Sequence, residues 1–333
     1  MMILKKNYSI KNSLQINSVA DYGAKINDLN DLDKLFRFIN DESLDYFILG
    51  EGTNLVPPSR YKGLAISYIS DEIVELDERT LRVGSSVNWH DLVNYATNKN
   101  YYGFENLSLI PGSVGAAPIQ NIGAYGADVQ QLIRNVHYYD LDKGIHNSFN
   151  NAQCNFEYRN SIFKESNFLI THVDFKIKKN GELNLNYKSL SHEANKRIQS
   201  GQQLNPKDVS NIVSTIRMKV LPDPQIEPNA GSFFKNPIVK LSDINSSSFN
   251  LDDLILWEID ENHSKVGAAR LIELIKNSLN NYENVSISSK HNLVISTNGN
   301  ASQQEVLKLA SEIQSKVKTI FNIDLEIEPR IIL

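Results

Sequence analysis

The stretch IPGSVGAAPIQNIGAYGADV, residues 110–129, decides how the rest of the chain is read. It holds four glycines (Gly112, Gly115, Gly123 and Gly126), two prolines, and no charge before Asp128. A loop that only crosses a surface is normally polar. This one is apolar and turn-rich together. Glycine lets a backbone come close to a ligand, and exposed N–H groups in such turns form concavities for anions. The pattern points to a large, flat, partly apolar ligand that carries a diphosphate. The GxxxxGKS form of a P-loop is absent, and GSVGAAP is not GxGxxG; its prolines would break the helix of a dinucleotide fingerprint. A structural Ω-loop is the other reading.

A second glycine turn lies upstream, in LGEGTNLV at 49–56. A strand from Tyr46 to Leu49 runs into Gly50 and Gly52, followed by Thr53 and Asn54. Alone this is either a plain tight turn or a phosphate cradle. Two such loops in one chain raise the case for a bound dinucleotide.

The surrounding pattern mixes helices and strands. Leu32, Leu35, Phe36 and Ile39 recur at helical spacing in 28–43. Short strands follow over 65–86, and 88–101 reads as an amphipathic helix with Asn88 as N-cap. Strands are expected at 134–142, 167–179 and 182–187. The polar stretch 189–208 reads as irregular or weakly helical, and the helix 208–221 stops at the two prolines of LPDP. An α/β unit follows, with helices at 268–276 and 303–318 and a strand at 292–296. Leu307, Ala310, Ile313 and Val317 fall on one face of the last helix, and the chain closes on a strand, IDLEIEPRIIL. Alternation along that strand puts Glu326, Glu328 and Arg330 on one face, which suits surface ion pairs or a site. The fold class is α+β. The expected divisions are 1–68 with 303–333, then 69–205, then 206–302.

With 333 residues and a net charge of −5, the chain is long enough for more than one core and lacks the basic surface that nucleic acid favours. The single cysteine, Cys154, cannot form an internal disulfide and reads as a small buried hydrophobe. Seven histidines form no HxxxH or HxH cluster, so no metal site is expected. The opening residues MMILKKNYSIKN lack an apolar run long enough for a signal peptide, and no run of about 18 apolar residues exists to span a membrane. A soluble cytoplasmic protein, without nucleic-acid or membrane partners, is expected.

Two further blocks carry polar residues in unusual settings. In NAGSFFKNP (229–237), Ser232 sits between a glycine and two phenylalanines, as either a proton donor in a dry pocket or a packed hydroxyl. In YRNSIFK (158–164), Arg159 is unremarkable by itself. LGEGTNL, the opening stretch, YRNSIFK, NAGSFFKNP and the terminal EPR occur here in that order. In that order and wording the chain resembles the UDP-N-acetylenolpyruvoylglucosamine reductases, bacterial cell-wall enzymes, over essentially its whole length.

The resemblance implies FAD held by a fold of the vanillyl-alcohol-oxidase (PCMH) type, with a separate C-terminal substrate domain, and NADPH as co-substrate. It implies cofactor contacts from Gly50, Glu51, Gly52, Thr53, Asn54 and Leu55. Others come from Pro111, Gly112, Ser113, Gly115, Ala116, Ile119, Gln120, Asn121, Ile122, Gly123 and Tyr125, and from Arg217. Ser232 matches the proton donor, and Arg159 with Glu328 matches the pair that polarises the substrate carboxylate. Tyr187, in LNYKSL, looks like the substrate-capping tyrosine of the longer branch, and Lys219, Asn236 and His291 fall at substrate positions. The implied partner is UDP-N-acetylglucosamine enolpyruvate, and the implied state a monomer. Three departures stand out: Val220 precedes LPDP where the family has lysine, His291 takes a glutamine position, and Pro329 replaces valine in the terminal motif.

Overall fold

The computed structural model describes residues 2–245 and 249–333. The chain forms two compact units, one from Met1–Tyr8, Ala20–Glu51 and Lys62–Lys219, the other from Ser9–Val19, Gly52–Tyr61 and Val220–Leu333.

In the first unit a four-stranded sheet runs in the order Ile3–Ser9, Val19–Ile26, Arg60–Tyr68, Tyr46–Ile48. The helix Leu32–Asp41 connects Val19–Ile26 to Tyr46–Ile48, and Tyr46–Ile48 pairs parallel with Arg60–Tyr68, Phe47 opposite Ala65. Its Leu32, Leu35 and Ile39 pack on Ala24, Ile26, Leu64 and Ile66. A five-stranded antiparallel sheet follows, ordered Ile145–Asn150, Ile133–Asp140, Phe168–Lys176, Thr80–Gly84, Ile73–Asp77. Val136 faces Val173, and Val173 faces Val83, so one face of the sheet is a continuous apolar layer. The helix Trp89–Asn98 covers that layer with Trp89, Leu92, Val93 and Ala96. Asn88 starts it by accepting hydrogen bonds from the backbone of His90 and Asp91, as an N-cap does.

The expected strand at 182–187 is not formed. Leu183 and Leu185 instead pack against a pair of helices, Lys188–Gln199 and Pro206–Val220. Side chains hold the segment where a ladder would have: Asn184 donates to the Gly126 carbonyl, and Asn106 donates to the Asn184 carbonyl. The polar stretch after it is a regular twelve-residue helix rather than irregular chain, with Leu190 and Ala194 turned into the core.

The second unit has two three-stranded antiparallel sheets. One is Asn229–Ser232, Val294–Thr297, Val285–Ile287; the other is Ile238–Lys240, His263–Val266, Leu256–Glu258. Phe233, Phe234, Leu271, Ile295 and Val317 share its core. Ser302 and Glu305 form a capping box that starts the helix Gln303–Phe321, and Asn322 ends it in the left-handed conformation. Its buried face is Val306, Leu309, Ala310, Ile313 and Val317; Leu307 is only half-buried, a correction of one position in the expected face.

The terminal strand is shorter than expected, with only Arg330–Ile331 in a ladder, parallel to Leu55–Val56. Before it, the chain pairs with a different neighbour, since Glu328 N–H donates to the Phe233 carbonyl while Arg330 N–H donates to the Asn54 carbonyl. Pro329, which has no N–H, sits at that change of partner. The compact units do not divide at 68, 205 and 302. The helix Gln303–Phe321 shares its core with Leu271 and Ile295, and of 1–68 only short pieces such as Leu14, Ile16 and Val56 join it.

Candidate active site

Within the first unit, the two glycine loops meet. A Cβ on Gly50 would lie 3.2 Å from Ser113 Oγ, and one on Gly115 would lie 2.6 Å from Ser85 Cβ. Gly112 has φ +119°, open to glycine and strained for other residues. Among the described residues no hydrogen-bond acceptor meets the N–H groups of Gly50, Glu51, Gly112 or Ser113. Glu51 is anchored by its side chain, which accepts from Asn88 Nδ2 at 3.1 Å. In the second unit, Gly52 and Thr53 likewise keep their N–H groups without an acceptor, while the Thr53 carbonyl accepts from Ser13 and the Asn54 carbonyl from Arg330. Leu55 belongs to the terminal ladder.

The rest of the loop is a tight framework. Ala116 N–H donates to the Ser113 carbonyl, and the Ile119 carbonyl accepts from Ser161. Asn121 donates to the Glu157 carbonyl and accepts from Gln130 N–H, so its side chain ties three segments together. Ile122 is buried in the core beneath the sheet's apolar face. Pro111 and Gln120 flank this framework, on either side of its turns.

Arg159 stands out by its backbone. Its φ is +53°, and its Nη2 donates to the Gly123 carbonyl at 2.9 Å. Asn121 and Tyr125 are also left-handed, at φ +45° and +49°. Such conformations cost energy in non-glycine residues and concentrate at functional sites. A Cβ on Gly123 would stand 3.1 Å from Arg159 Nη1, tight enough to displace the guanidinium. Arg217, on the helix Pro206–Val220, lies within electrostatic reach of Arg159 and Tyr125. Its Nε is buried without a partner among the described residues. Burial lowers its pKa, the Tyr125 hydroxyl opposes that, and Arg159 adds to it. Two guanidinium groups are therefore held together where water cannot fully serve one of them. Tyr125 packs edge-to-face on Tyr187, ring centroids 5.1 Å apart, and Tyr187 itself is 45% exposed. Lys219 is exposed on the last turn of the same helix as Arg217.

In the second unit the pairing of Phe234 with Ile327 brings the Ser232 and Glu328 segments side by side. Ser232 is half-buried, and its hydroxyl meets no protein partner among the described residues. Gly231 beside it has φ +74° and open space where a Cβ would be. Glu328 is half-buried, whereas Glu326 is exposed and pairs with Lys235. Asn236 accepts from Ala268 N–H and so caps the helix Ala268–Ile275. His291 accepts from Leu293 N–H through Nδ1, and burial lowers its pKa.

Sequence reasoning passed over His90. Its Nδ1 accepts from Leu109 N–H at 3.0 Å, directly ahead of the long loop. No local motif marks it, because the contact spans nineteen residues. Cys154 is buried, and burial pushes its thiol up to about 12, which makes it unreactive. Among the described residues no group of three His, Cys, Asp or Glu residues could hold a metal, and no helix is long and apolar enough to cross a membrane.

The residues present fit a bound flavin dinucleotide. Unpaired N–H groups in the glycine turns suit a diphosphate, and the orphaned Arg217 Nε suits an electron-rich edge. A family profile described as an FAD binding domain matches residues 21–144. Fold and site together define an FAD-binding flavoprotein with a separate C-terminal domain, a flavin-dependent oxidoreductase. A second profile, the C-terminal domain of UDP-N-acetylenolpyruvoylglucosamine reductase, matches residues 223–332. The reductase of that name from Bdellovibrio bacteriovorus is 37% identical, over 96% of each chain. The one from Flavobacterium johnsoniae is 34% identical, over 99% of this chain and 100% of its own. The crystal structure of the Thermus caldophilus reductase shares the fold, with a TM-score of 0.69 over 99% of each chain at 19% identity. The chain belongs to the UDP-N-acetylenolpyruvoylglucosamine reductase family.

Proposed function

We propose that this chain reduces UDP-N-acetylglucosamine enolpyruvate to UDP-N-acetylmuramate, with NADPH as the reductant, in bacterial cytoplasmic peptidoglycan precursor synthesis. The observation that carries the reading is the partly dehydrated cationic pair of Arg159 and Arg217, whose buried Nε needs an anionic or electron-rich partner. The family's substrate carries a carboxylate, and its cofactor has an electron-rich ring edge.

FAD, when bound, supplies the hydride that the vinyl carbon of the substrate receives. As charge builds on the α-carbon and carboxylate, the Arg159 guanidinium stabilises it, since fixed cations aimed at developing charge lower a barrier strongly. In this reading Glu328 is the acidic group that polarises the substrate carboxylate. Ser232 gives its proton to the α-carbon. A serine hydroxyl is a weak acid, but a carbanionic centre is a strong enough base to take its proton. The half-buried Ser232 hydroxyl supports this role, because among the described residues no protein acceptor competes for its proton. Tyr187, Lys219, Asn236 and His291 bind the UDP-sugar, with Lys219 in the last helical turn beside the family's lysine position. Glu51 and the turns at 50–55 and 111–125 hold the cofactor, with Arg217 at its ring edge. In this reading 1–68, 69–205 and 303–333 mainly serve the cofactor, 206–302 apart from Arg217 serves the sugar nucleotide, and the chain acts as a monomer.

The test is NADPH oxidation under anaerobic conditions with the enolpyruvyl UDP-sugar. The expected result is one NADPH consumed per product, the product two mass units heavier than the substrate. NADPH consumption without any reduced sugar nucleotide would refute the assignment.

A further inference from the structure

The helix Trp89–Asn98 begins with three residues that grip both glycine loops of the first unit. Asn88 caps the helix through Oδ1 and donates from Nδ2 to Glu51, at 2.9 Å and 3.1 Å. Trp89 donates its backbone N–H to the Gly112 carbonyl and its indole N–H to the Leu107 carbonyl, each at 2.8 Å. His90 accepts from Leu109 N–H through Nδ1 at 3.0 Å. Leu109 has φ +56°, a conformation that a bulky side chain adopts only when its surroundings hold it there. On its other side, Ser108 is fixed by hydrogen bonds to the Glu105 carbonyl and to Ser210.

We propose that His90 is a positioning residue for the flavin: as a neutral imidazole protonated on Nε2, it pins Leu109 in its left-handed conformation and so aims the 110–129 loop at the diphosphate. An acceptor at Nδ1 is needed, and a doubly protonated ring has none. The surroundings keep the ring neutral. Burial disfavours its charged form, Asp91 on its own helix opposes that, and Lys207 and Arg217 on the helix Pro206–Val220 reinforce it. The three-residue grip also couples the loops, because Asn88 fixes Glu51 on one while Trp89 and His90 fix Leu107, Leu109 and Gly112 on the other.

The proposal rests on FAD being the resident cofactor, and a pair of substitutions separates it from packing. In His90→Asn, Oδ1 replaces Nδ1 as acceptor at nearly the same place. In His90→Gln the acceptor moves out to the Nε2 position, with a side chain closer in size to histidine. Flavin dissociation from the purified holoprotein is followed by recovery of free-flavin fluorescence. His90→Asn is expected to hold FAD within about threefold of the unmodified protein, and His90→Gln to weaken it by about tenfold or more, as an unsatisfied buried N–H does. Equal affinity in both variants and the unmodified protein would overturn the proposal, as would a larger loss in His90→Asn than in His90→Gln. Failure of the unmodified protein itself to bind FAD would refute the cofactor reading instead.

Discussion

Replacing Arg217 with methionine should raise stability and lower binding at once. The guanidinium is half-buried, its Nε has no partner among the described residues, and Arg159 lies within electrostatic reach. A buried donor without a partner costs about 1–3 kcal/mol, and a charged one more. Methionine keeps most of the apolar stem without the charged head. The flavin-free protein should therefore gain about 1–3 kcal/mol, which for a unit of this size is a rise in Tm of roughly 2–10 °C. Binding should move the other way. A hydrogen bond from a charged group is worth about 1.5–3 kcal/mol, so FAD affinity should fall by about 10- to 150-fold. Thermal unfolding of the flavin-free protein and a flavin titration measure the two effects separately. A lower Tm with unchanged FAD affinity would show that Arg217 is an ordinary structural cation and would refute the reasoning.

Three further outcomes are expected. Gly52→Ala places a Cβ 2.0 Å from the Lys11 carbonyl oxygen at φ +72°, so chemical denaturation should show a loss of about 2–5 kcal/mol from overpacking and left-handed strain; an unshifted midpoint would contradict the packing. Ser232→Ala removes a hydroxyl with no protein partner among the described residues, so unfolding should change little, while stopped-flow reduction of the enolpyruvyl substrate should slow by about 10²–10⁴-fold and reduction of the flavin by NADPH should not. Equal slowing of both half-reactions would make Ser232 a positioning group. Asp174 is buried, which alone would raise its pKa, but His137 and Arg82 hold its carboxyl well below the usual carboxylate range. Its contribution is therefore full above the unfolded value of about 4 and is lost as pH falls toward the depressed folded value, so Asp174→Asn should flatten the acid limb of a stability–pH curve. An unchanged acid limb would count against that pairing.

The glycine loops were legible because glycine and proline act locally, and the helix Gln303–Phe321 because Ser302, Glu305 and its apolar spacing all agree. Asn88 could be assigned as a cap for the same reason. The stretch 182–187 misled because it alternates like a strand, while its leucines face a helix pair and its asparagines form hydrogen bonds from side chain to backbone. In the terminal segment the alternation itself was right, with Ile323 and Leu325 buried and Asp324 and Glu326 exposed, but a ladder needs one continuous partner and this chain changes partners at Pro329. Arg159 gave no signal of its own, since a left-handed backbone at an arginine cannot be read from neighbouring residue types. Its role in the reading came entirely from the resemblance. His90 was invisible for a related reason, because its partner, Leu109, lies a whole helix and turn away.

In the proposed reaction one flavin in this chain takes reducing equivalents from NADPH and gives them to an enolpyruvyl UDP-sugar. The most direct measurement is the visible spectrum of the purified protein in the absence of oxygen, recorded before NADPH, after one equivalent of NADPH, and after UDP-N-acetylglucosamine enolpyruvate. The expected result is an oxidised flavin spectrum that bleaches with NADPH and returns in full when the sugar nucleotide is added. A flavin that stays bleached in the presence of the sugar nucleotide, or a protein with no flavin absorbance, would contradict it.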